Sequence, residues 1–309
     1  MTLEQPETDP PVAAMTPSEH ETAAKERIAR MPLWHGPVAP ERLGGGITNL
    51  NFTVTDRGER FVVRFGDDIV VHQIMRFNER AASEAAHAAG ISPEVVHAEP
   101  GILVFRYIDG RTCTPADMRN ADRLAKVLPL LKRVHRELPR FLRGPALAFW
   151  VFHVIRDYAH TLTGSGSRFA SRLGDFVEVA ADLELAVGPI DLVFGHNDLL
   201  AGNFIDDGRR MWLIDWDYAG FNSPLFDLAN LASNSELDGE QEEWMLTTYF
   251  GHMPDRLAYE AMKCASLLRE AMWGMVSELH SKLDFDYAGY AADYLDRFGR
   301  AHSRFKARD

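Results

Sequence analysis

Cysteine is scarce in this chain: there are 2 in 309 residues, Cys113 and Cys264, far apart and in no CxxC pair. That pattern excludes a disulfide-stapled scaffold and a thiolate metal centre, and it leads us to expect a reducing, cytoplasmic setting. Uninterrupted apolar runs of bilayer length are also missing, so no stable membrane insertion is expected. Basic residues are outnumbered, 33 Lys and Arg against 45 Asp and Glu, for a formal net charge of −12. Such a surface repels a polyanion, so no nucleic-acid partner is expected. It is compatible with a cationic small molecule. The opening stretch MTLEQPETDPPVAAMTPSEH has neither the positive flank nor the apolar run of a secretion signal, and residues 1–20 read as a loose tail. The histidines form no cluster with zinc spacing.

What is present is ample core material, 46% apolar residues, enough for two lobes. Ser18 to Met31 predicts a short helix. Period-two patterning then takes over: Phe52 and Val54 share one strand face, Asp56-Arg57-Gly58-Glu59 is a turn, and Phe61 to Phe65 is a second strand. A helix over Arg76 to Ala89 follows, closed by Gly90, then short strands at Glu94–Ala98 and Gly101–Tyr107. Residues 21–110 thus read β-β-α-β-β. Beyond a polar boundary near Ile108 to Pro115, residues 111–309 read mainly helical: Ala116 to Arg136 as one amphipathic helix, then Phe149–Leu162 and Arg172–Val187. Short strands and loops interrupt from Leu192 to Ala219, and long helices resume from about Glu240. The fold class is α+β, a small antiparallel β lobe beside a larger, mainly helical lobe.

The segment Phe194-Gly-His-Asn-Asp-Leu-Leu-Ala-Gly-Asn-Phe204 is polar at its centre and apolar at its flanks. It brings Asp198 and Asn203 onto one tight loop. Twelve residues on, the apolar pair Leu213-Ile214 delivers Asp215, with Asp217 two places later. Asp and Asn favour turns for local reasons. Three of them, held between apolar strands at this spacing, point further. Phosphoryl transfer needs a carboxylate to orient a hydroxyl and oxygen ligands for Mg2+. Asp198 is the candidate base, and Asn203 and Asp215 are the candidate metal ligands.

HNDLLAGNF followed by LIDWDYAGFNSPLFDLANLA resembles the choline/ethanolamine kinase branch of the aminoglycoside phosphotransferase and protein-kinase-like superfamily. His196, Asp198 and Asn203 match that branch's H-x-D-x-x-x-x-N loop, and Asp215 matches its metal-binding aspartate. Tyr218, Asn222, Asp227 and Asn230 follow in similar order and spacing. The resemblance runs over roughly Leu43 to Phe298. It implies a two-lobed protein-kinase-like fold, with ATP as donor and Mg2+ as metal. It implies that Gly45, Gly46 and Asn49 belong to the nucleotide loop, and that Arg64 touches the ATP phosphates. Glu79 is then the partner of Arg64, with Glu84 on the same helix as the alternative. Phe105 and Val62 would face adenine. His196 would tether the catalytic loop to the backbone around Asp215.

For the acceptor, Trp273 and Tyr287 resemble two aromatics of the branch's W-x-x-W…Y pattern. Glu270 stands where the first tryptophan belongs, and Asn234, with Glu236 close by, stands where an acidic residue is expected. The acceptor set is therefore Asp198, Asp217, Asp227, Glu270, Trp273 and Tyr287. Aromatic faces and carboxylates suit a quaternary ammonium. The implied acceptor is choline or a similar small amino alcohol. Glu270 would suit the N–H donors of ethanolamine. The alternative is a kinase of the same fold for ethanolamine, thiamine, a sugar or an aminoglycoside. A non-catalytic pseudokinase is opposed by the intact Asp198, Asn203 and Asp215.

Overall fold

The computed structural model describes residues 17–44 and 48–307. Gly45 and Gly46 of the expected nucleotide loop lie outside the described residues, as does most of the expected tail. Helix α1 (Pro17–Ala29) leads into β1 (Glu41–Leu43), β2 (Leu50–Asp56) and β3 (Glu59–Phe65). The β2–β3 hairpin turns where the sequence placed it, with Asp56 opposite Glu59. Arg57 and Gly58 both take positive φ, 50° and 84°, which is the twist-compatible two-residue turn that favours glycine. Helix α2 (Arg76–Ala88), β4 (Val95–Glu99) and β5 (Ile102–Arg106) complete the small lobe. Its sheet is antiparallel with strand order β1-β2-β3-β5-β4. The short edge strand β1 was not expected. It has only three residues, too few for alternation to register.

Alternation sorts the sheet's faces. Phe52, Val54, Phe61, Val63, Ile102 and Val104 pack against Ala24 and Ile28 of α1. Register puts Val62 opposite Phe105 and Arg64 opposite Leu103 on the other face, toward the cleft. The alanine face of α2, Ala82, Ala85 and Ala86, is buried in the core of the large lobe. By packing, α2 therefore bridges the two lobes.

The large lobe opens with β6 (Arg111–Thr112), α3 (Pro115–Met118) and α4 (Ala121–Arg136). The single helix expected over 116–136 is two helices. Thr114 and Asp117 form a capping box on α3, and Asn120 accepts from Arg123 N–H to start α4. These capping side chains stabilise a break that the apolar stripe does not reveal. Next come α5 (Val151–Leu162), α6 (Leu173–Val187), β7 (Val193–Gly195), β8 (Phe204–Asp206), β9 (Met211–Leu213) and β10 (Gly220–Asn222). Helix α7 (Pro224–Ser235) precedes the point at which helices were expected to resume. It starts at a Ser223 cap with proline in its first turn. Then follow α8 (Gly239–Phe250), α9 (Arg256–His280) and α10 (Tyr287–Lys306). Helix α9 is buried on nearly all sides from Ala258 to Ser277. No described helix is long and apolar enough to cross a membrane.

Candidate active site

Strand β7 pairs with β10 and ends at Gly195, where the chain enters His196-Asn197-Asp198. A Cβ at Gly195 would lie 2.9 Å from Asn197 Oδ1 and 3.1 Å from Asp227 Oδ2, so no larger residue fits without displacement. Asn197 is left-handed, φ 65°. It holds that conformation by donating from Nδ2 to the carbonyls of Tyr218 (2.9 Å) and Gly220 (3.1 Å). Asp227 lies beneath the loop. Its Oδ2 accepts His196 N–H at 2.9 Å and its Oδ1 accepts Asn197 N–H at 2.7 Å. His135 Nε2 reaches the same Oδ2 at 2.8 Å, and its Nδ1 meets Tyr249 Oη at 2.6 Å. Burial alone would favour the protonated form of Asp227, but these hydrogen bonds and His135 hold its carboxyl below the usual range. Asn230, one turn later on α7, accepts Leu199 N–H at 2.5 Å and donates to Ser266 Oγ.

His196 is buried, and burial holds it neutral. Its Nε2 lies 2.9 Å from the carbonyl of Ile214, and its Nδ1 accepts Asp198 N–H at 3.3 Å. Those two contacts assign the Nε2–H tautomer. Asn203 donates from Nδ2 to the Asp198 carbonyl at 2.9 Å, and its own carbonyl accepts Ile214 N–H at 2.9 Å. The Asp198–Asn203 loop and the Asp215 segment are thereby stitched together. Asp215 itself is left-handed, φ 72°, a strained state for a non-glycine residue of the kind concentrated at functional sites.

Across the cleft, Arg64 Nη1 lies 2.5 Å from Glu79 Oε1, 2.9 Å from Asp215 Oδ1 and 2.9 Å from Asp217 Oδ1. Glu84 pairs instead with Arg80 on the exposed side of α2. Arg76 joins the network, with Nη1 on Glu79 and Asp217 and Nη2 on Asn49 Oδ1. Asn49 in turn donates to Asp217 Oδ2 at 2.8 Å. Burial pushes the Glu79 carboxyl up to about 7 against the pull of Arg64. Burial opposes the charged form of Asp217 as well, yet Arg64 and Arg76 outweigh it and keep that group below its ordinary value. Arg64 Nε has no hydrogen-bond partner among the described residues. Val62 and Phe105 are half-buried on the cleft face.

A cavity of about 80 Å3 opens beside Asp198, lined in part by Asn203, Asp215, Tyr218, Glu270, Trp273 and Tyr290. Glu270 Oε2 accepts Tyr290 O–H at 2.9 Å, and Glu270 Oε1 lies 2.6 Å from Arg269 Nη1. Trp273 packs at 5.3 Å from Tyr290, 5.8 Å from Tyr287 and 5.4 Å from His72, centroid to centroid. Burial and the nearby Glu270 carboxylate raise Asp198 well above the ordinary carboxyl range.

The sequence-derived set therefore divides in space. Asp198, Asn203, Asp215, Glu270 and Trp273 share the cavity. Asp217 and Asp227, both expected to touch the acceptor, are instead buried. The first sits in the Arg64–Arg76 network and the second beneath the loop backbone, because each has donors to satisfy there. Tyr287 supports Trp273 from behind the lining. Tyr290 and Arg269 line the cavity but were missed. The available signal was the charged pair Arg269-Glu270 set in an otherwise apolar helical run, since charged residues are rarely buried without a reason.

The sequence matches the family described as phosphotransferase enzyme family (APH) over residues 40–261. A solved choline/ethanolamine kinase family protein from Mesorhizobium loti is 30% identical, with a TM-score of 0.72, covering 92% of this chain and 94% of that one. The choline kinase LicA from Streptococcus pneumoniae is 25% identical with a TM-score of 0.75, covering 93% and 99%. A probable ethanolamine kinase of Arabidopsis thaliana is 27% identical over 288 residues, 81% of this chain and 76% of that protein. With its small antiparallel sheet, its larger helical lobe and the Asp198 loop at the junction, this chain belongs to the phosphotransferase enzyme family, on its choline/ethanolamine kinase branch.

Proposed function

We propose that the protein transfers the γ-phosphoryl group of ATP to the hydroxyl of a small cationic amino alcohol, choline or a close relative, in a magnesium-dependent reaction. The observation that carries this reading is the 80 Å3 cavity beside Asp198, walled by Tyr218, Trp273 and Tyr290 and bearing Glu270. Its compact aromatic lining suits a small amino alcohol better than a sugar or an aminoglycoside, which call for a broad polar cleft. Its aromatic faces and carboxylates attract a cation.

Arg64 suits the donor phosphates. Its guanidinium is already held at the cleft by Glu79 and Asp215, and a guanidinium can bind two phosphate oxygens at once. Asn49, at the end of the expected nucleotide loop, is held by Asp217 and Arg76 beside Arg64. Val62 and Phe105 offer an apolar seat for the base. The donor set of Asn203 and Asp215 fits magnesium: an amide oxygen and a carboxylate are hard ligands, and Asn203 commits only its Nδ2 to the Asp198 carbonyl. Magnesium, when bound, neutralises charge on the phosphoryl groups. Asp198 orients the acceptor hydroxyl and takes its proton as the new O–P bond forms.

Glu270 supports a second reading, ethanolamine as the preferred acceptor. A primary ammonium presents three N–H donors and a quaternary one presents none. A panel of choline, ethanolamine, thiamine, a hexose and an aminoglycoside, with ATP, magnesium and a coupled ADP readout, tests both. We expect choline or ethanolamine to exceed the sugar and the aminoglycoside in kcat/KM by on the order of 10²-fold, about 2.7 kcal/mol of transition-state stabilisation. Preferential turnover of a sugar or aminoglycoside, or no magnesium-dependent ADP release with any acceptor, would sink the reading.

A further inference from the structure

Arg269 is 1% exposed on α9, one of the largest fully buried side chains of the protein. Burying a guanidinium is costly unless its charge is used, and arginine does not shed its proton. Its hydrogen-bonding partner is its own neighbour. Arg269 Nη1 lies 2.6 Å from Glu270 Oε1. Consecutive helical residues ordinarily point away from each other, so this contact requires both side chains to turn toward the same cavity. The same Nη1 lies 3.6 Å from Asp198 Oδ1, within ion-pair range. The guanidinium carbon sits 4.1 Å from the centroid of the Tyr218 ring, another wall of the cavity. Nε and Nη2 have no hydrogen-bond partner among the described residues. A residue serving only to join helices would be expected to bond across to another helix. Arg269 instead stands between two carboxylates of the acceptor end.

We propose that Arg269 is a positioning residue for phosphoryl transfer: it bridges Asp198 and Glu270 and holds Asp198 toward the acceptor. The proposal rests on the amino-alcohol reading for the identity of the acceptor, but not for the role of Arg269. Without the guanidinium, Asp198 loses the partner that fixes it, and repulsion from Glu270 pushes it out of alignment with the acceptor hydroxyl. That loss reduces kcat rather than nucleotide affinity.

The test compares Arg269→Met, Arg269→Lys and the double variant Arg269→Met/Glu270→Gln, each checked for folding by circular dichroism and thermal melting. Turnover is measured with whichever acceptor the parent uses best, and in parallel as slow ATP hydrolysis with water as acceptor. The nucleotide dissociation constant is measured by titration. We expect Arg269→Met to lose at least about tenfold in kcat, with nucleotide affinity changed less than about twofold. Removing the second carboxylate in the double variant should restore kcat about threefold or more relative to Arg269→Met, and Arg269→Lys should retain more than Arg269→Met. If Arg269→Met does not fold, Arg269→Lys and Glu270→Gln carry the comparison, with the lysine variant expected to lose kcat and not nucleotide affinity. The proposal is overturned if folded Arg269→Met keeps kcat within threefold of the parent, if the double variant is no better than the single, or if nucleotide affinity falls in step with kcat. Failure of the parent on every amino alcohol, with the water reaction still responding to Arg269, would overturn the acceptor assignment alone.

Discussion

Arg64 Nη1 lies 2.9 Å from Asp215 Oδ1, so a strand of the small lobe and the aspartate after β9 share an ion pair across the cleft. Asp215 is partly exposed while Arg64 is nearly closed off, which leaves the aspartate open to a metal from the solvent side. Asp215→Ala should reduce magnesium-dependent turnover by on the order of 10²-fold or more, comparable to losing a principal electrostatic contribution. Its melting temperature should change by only a few degrees. The check is a magnesium titration of turnover beside a thermal melt. Near-full activity at ordinary magnesium would remove Asp215 from the mechanism.

Asp198→Asn preserves shape and deletes the proton acceptor. We expect kcat to fall by roughly 10²-fold or more, the ordinary scale of acid–base contributions, with little change in nucleotide binding. Steady-state kinetics and a nucleotide titration on the same preparation decide it. A loss under about threefold, with chemistry rate-limiting, would assign the proton to another group.

Asp227 accepts two backbone N–H groups of the catalytic loop and pairs with His135, all away from water. Asp227→Ala leaves each of these buried groups without its partner, which should destabilise the fold by about 3–5 kcal/mol. Urea denaturation should show the loss. Activity lost with unaltered stability would mean that Asp227 acts in the reaction and not beneath it.

His72 stands between Tyr158 Oη (3.1 Å) and Ser277 Oγ (3.0 Å), with its ring tilted 30° to that of Trp273 at 5.4 Å. Burial, with Arg269 and His280 adding to it, lowers its pKa from 6.5 to about 3. Below the ordinary histidine value the unfolded chain binds a proton that the folded chain refuses. Stability therefore falls as pH drops through that window and is retained above it, by up to about 1.4 kcal/mol per pH unit. His72→Gln should flatten that slope. Denaturant-unfolding free energies at about pH 7 and about pH 5, for parent and variant, measure it. Parallel slopes would refute the assignment.

The sequence by itself determined the parts whose determinants are local. The Asp56–Glu59 turn needs its Arg57-Gly58 pair. The helix over Arg76–Ala88 needs its alanines and glutamates. The loop from His196 to Asn203 closes on itself through contacts spanning five residues or fewer. For such elements the side-chain pattern and the backbone that satisfies it are the same stretch of chain. Two boundaries failed although local signals were present. The Thr114–Asp117 box and the Asn120 cap broke one expected helix, and Ser223-Pro224 started another that was not expected.

Tertiary structure alone decided which charged groups meet. Asp215 and Asp217 are two residues apart, yet one borders the acceptor cavity while the other is enclosed by Arg64, Arg76 and Asn49. Asp227 looks from its motif like a substrate ligand, but the packing of α7 under β7 gives it two backbone N–H groups to satisfy. The acceptor cavity joins Tyr218, Glu270 and Tyr290 from segments far apart in the chain, and Arg269 and Glu270 face one another only because α9 is enclosed and both are turned into that space. Local sequence can specify a turn, a cap or a loop that satisfies itself. The burial of a charge and the partner that compensates it depend on which surfaces come together, and that is fixed only when the lobes pack.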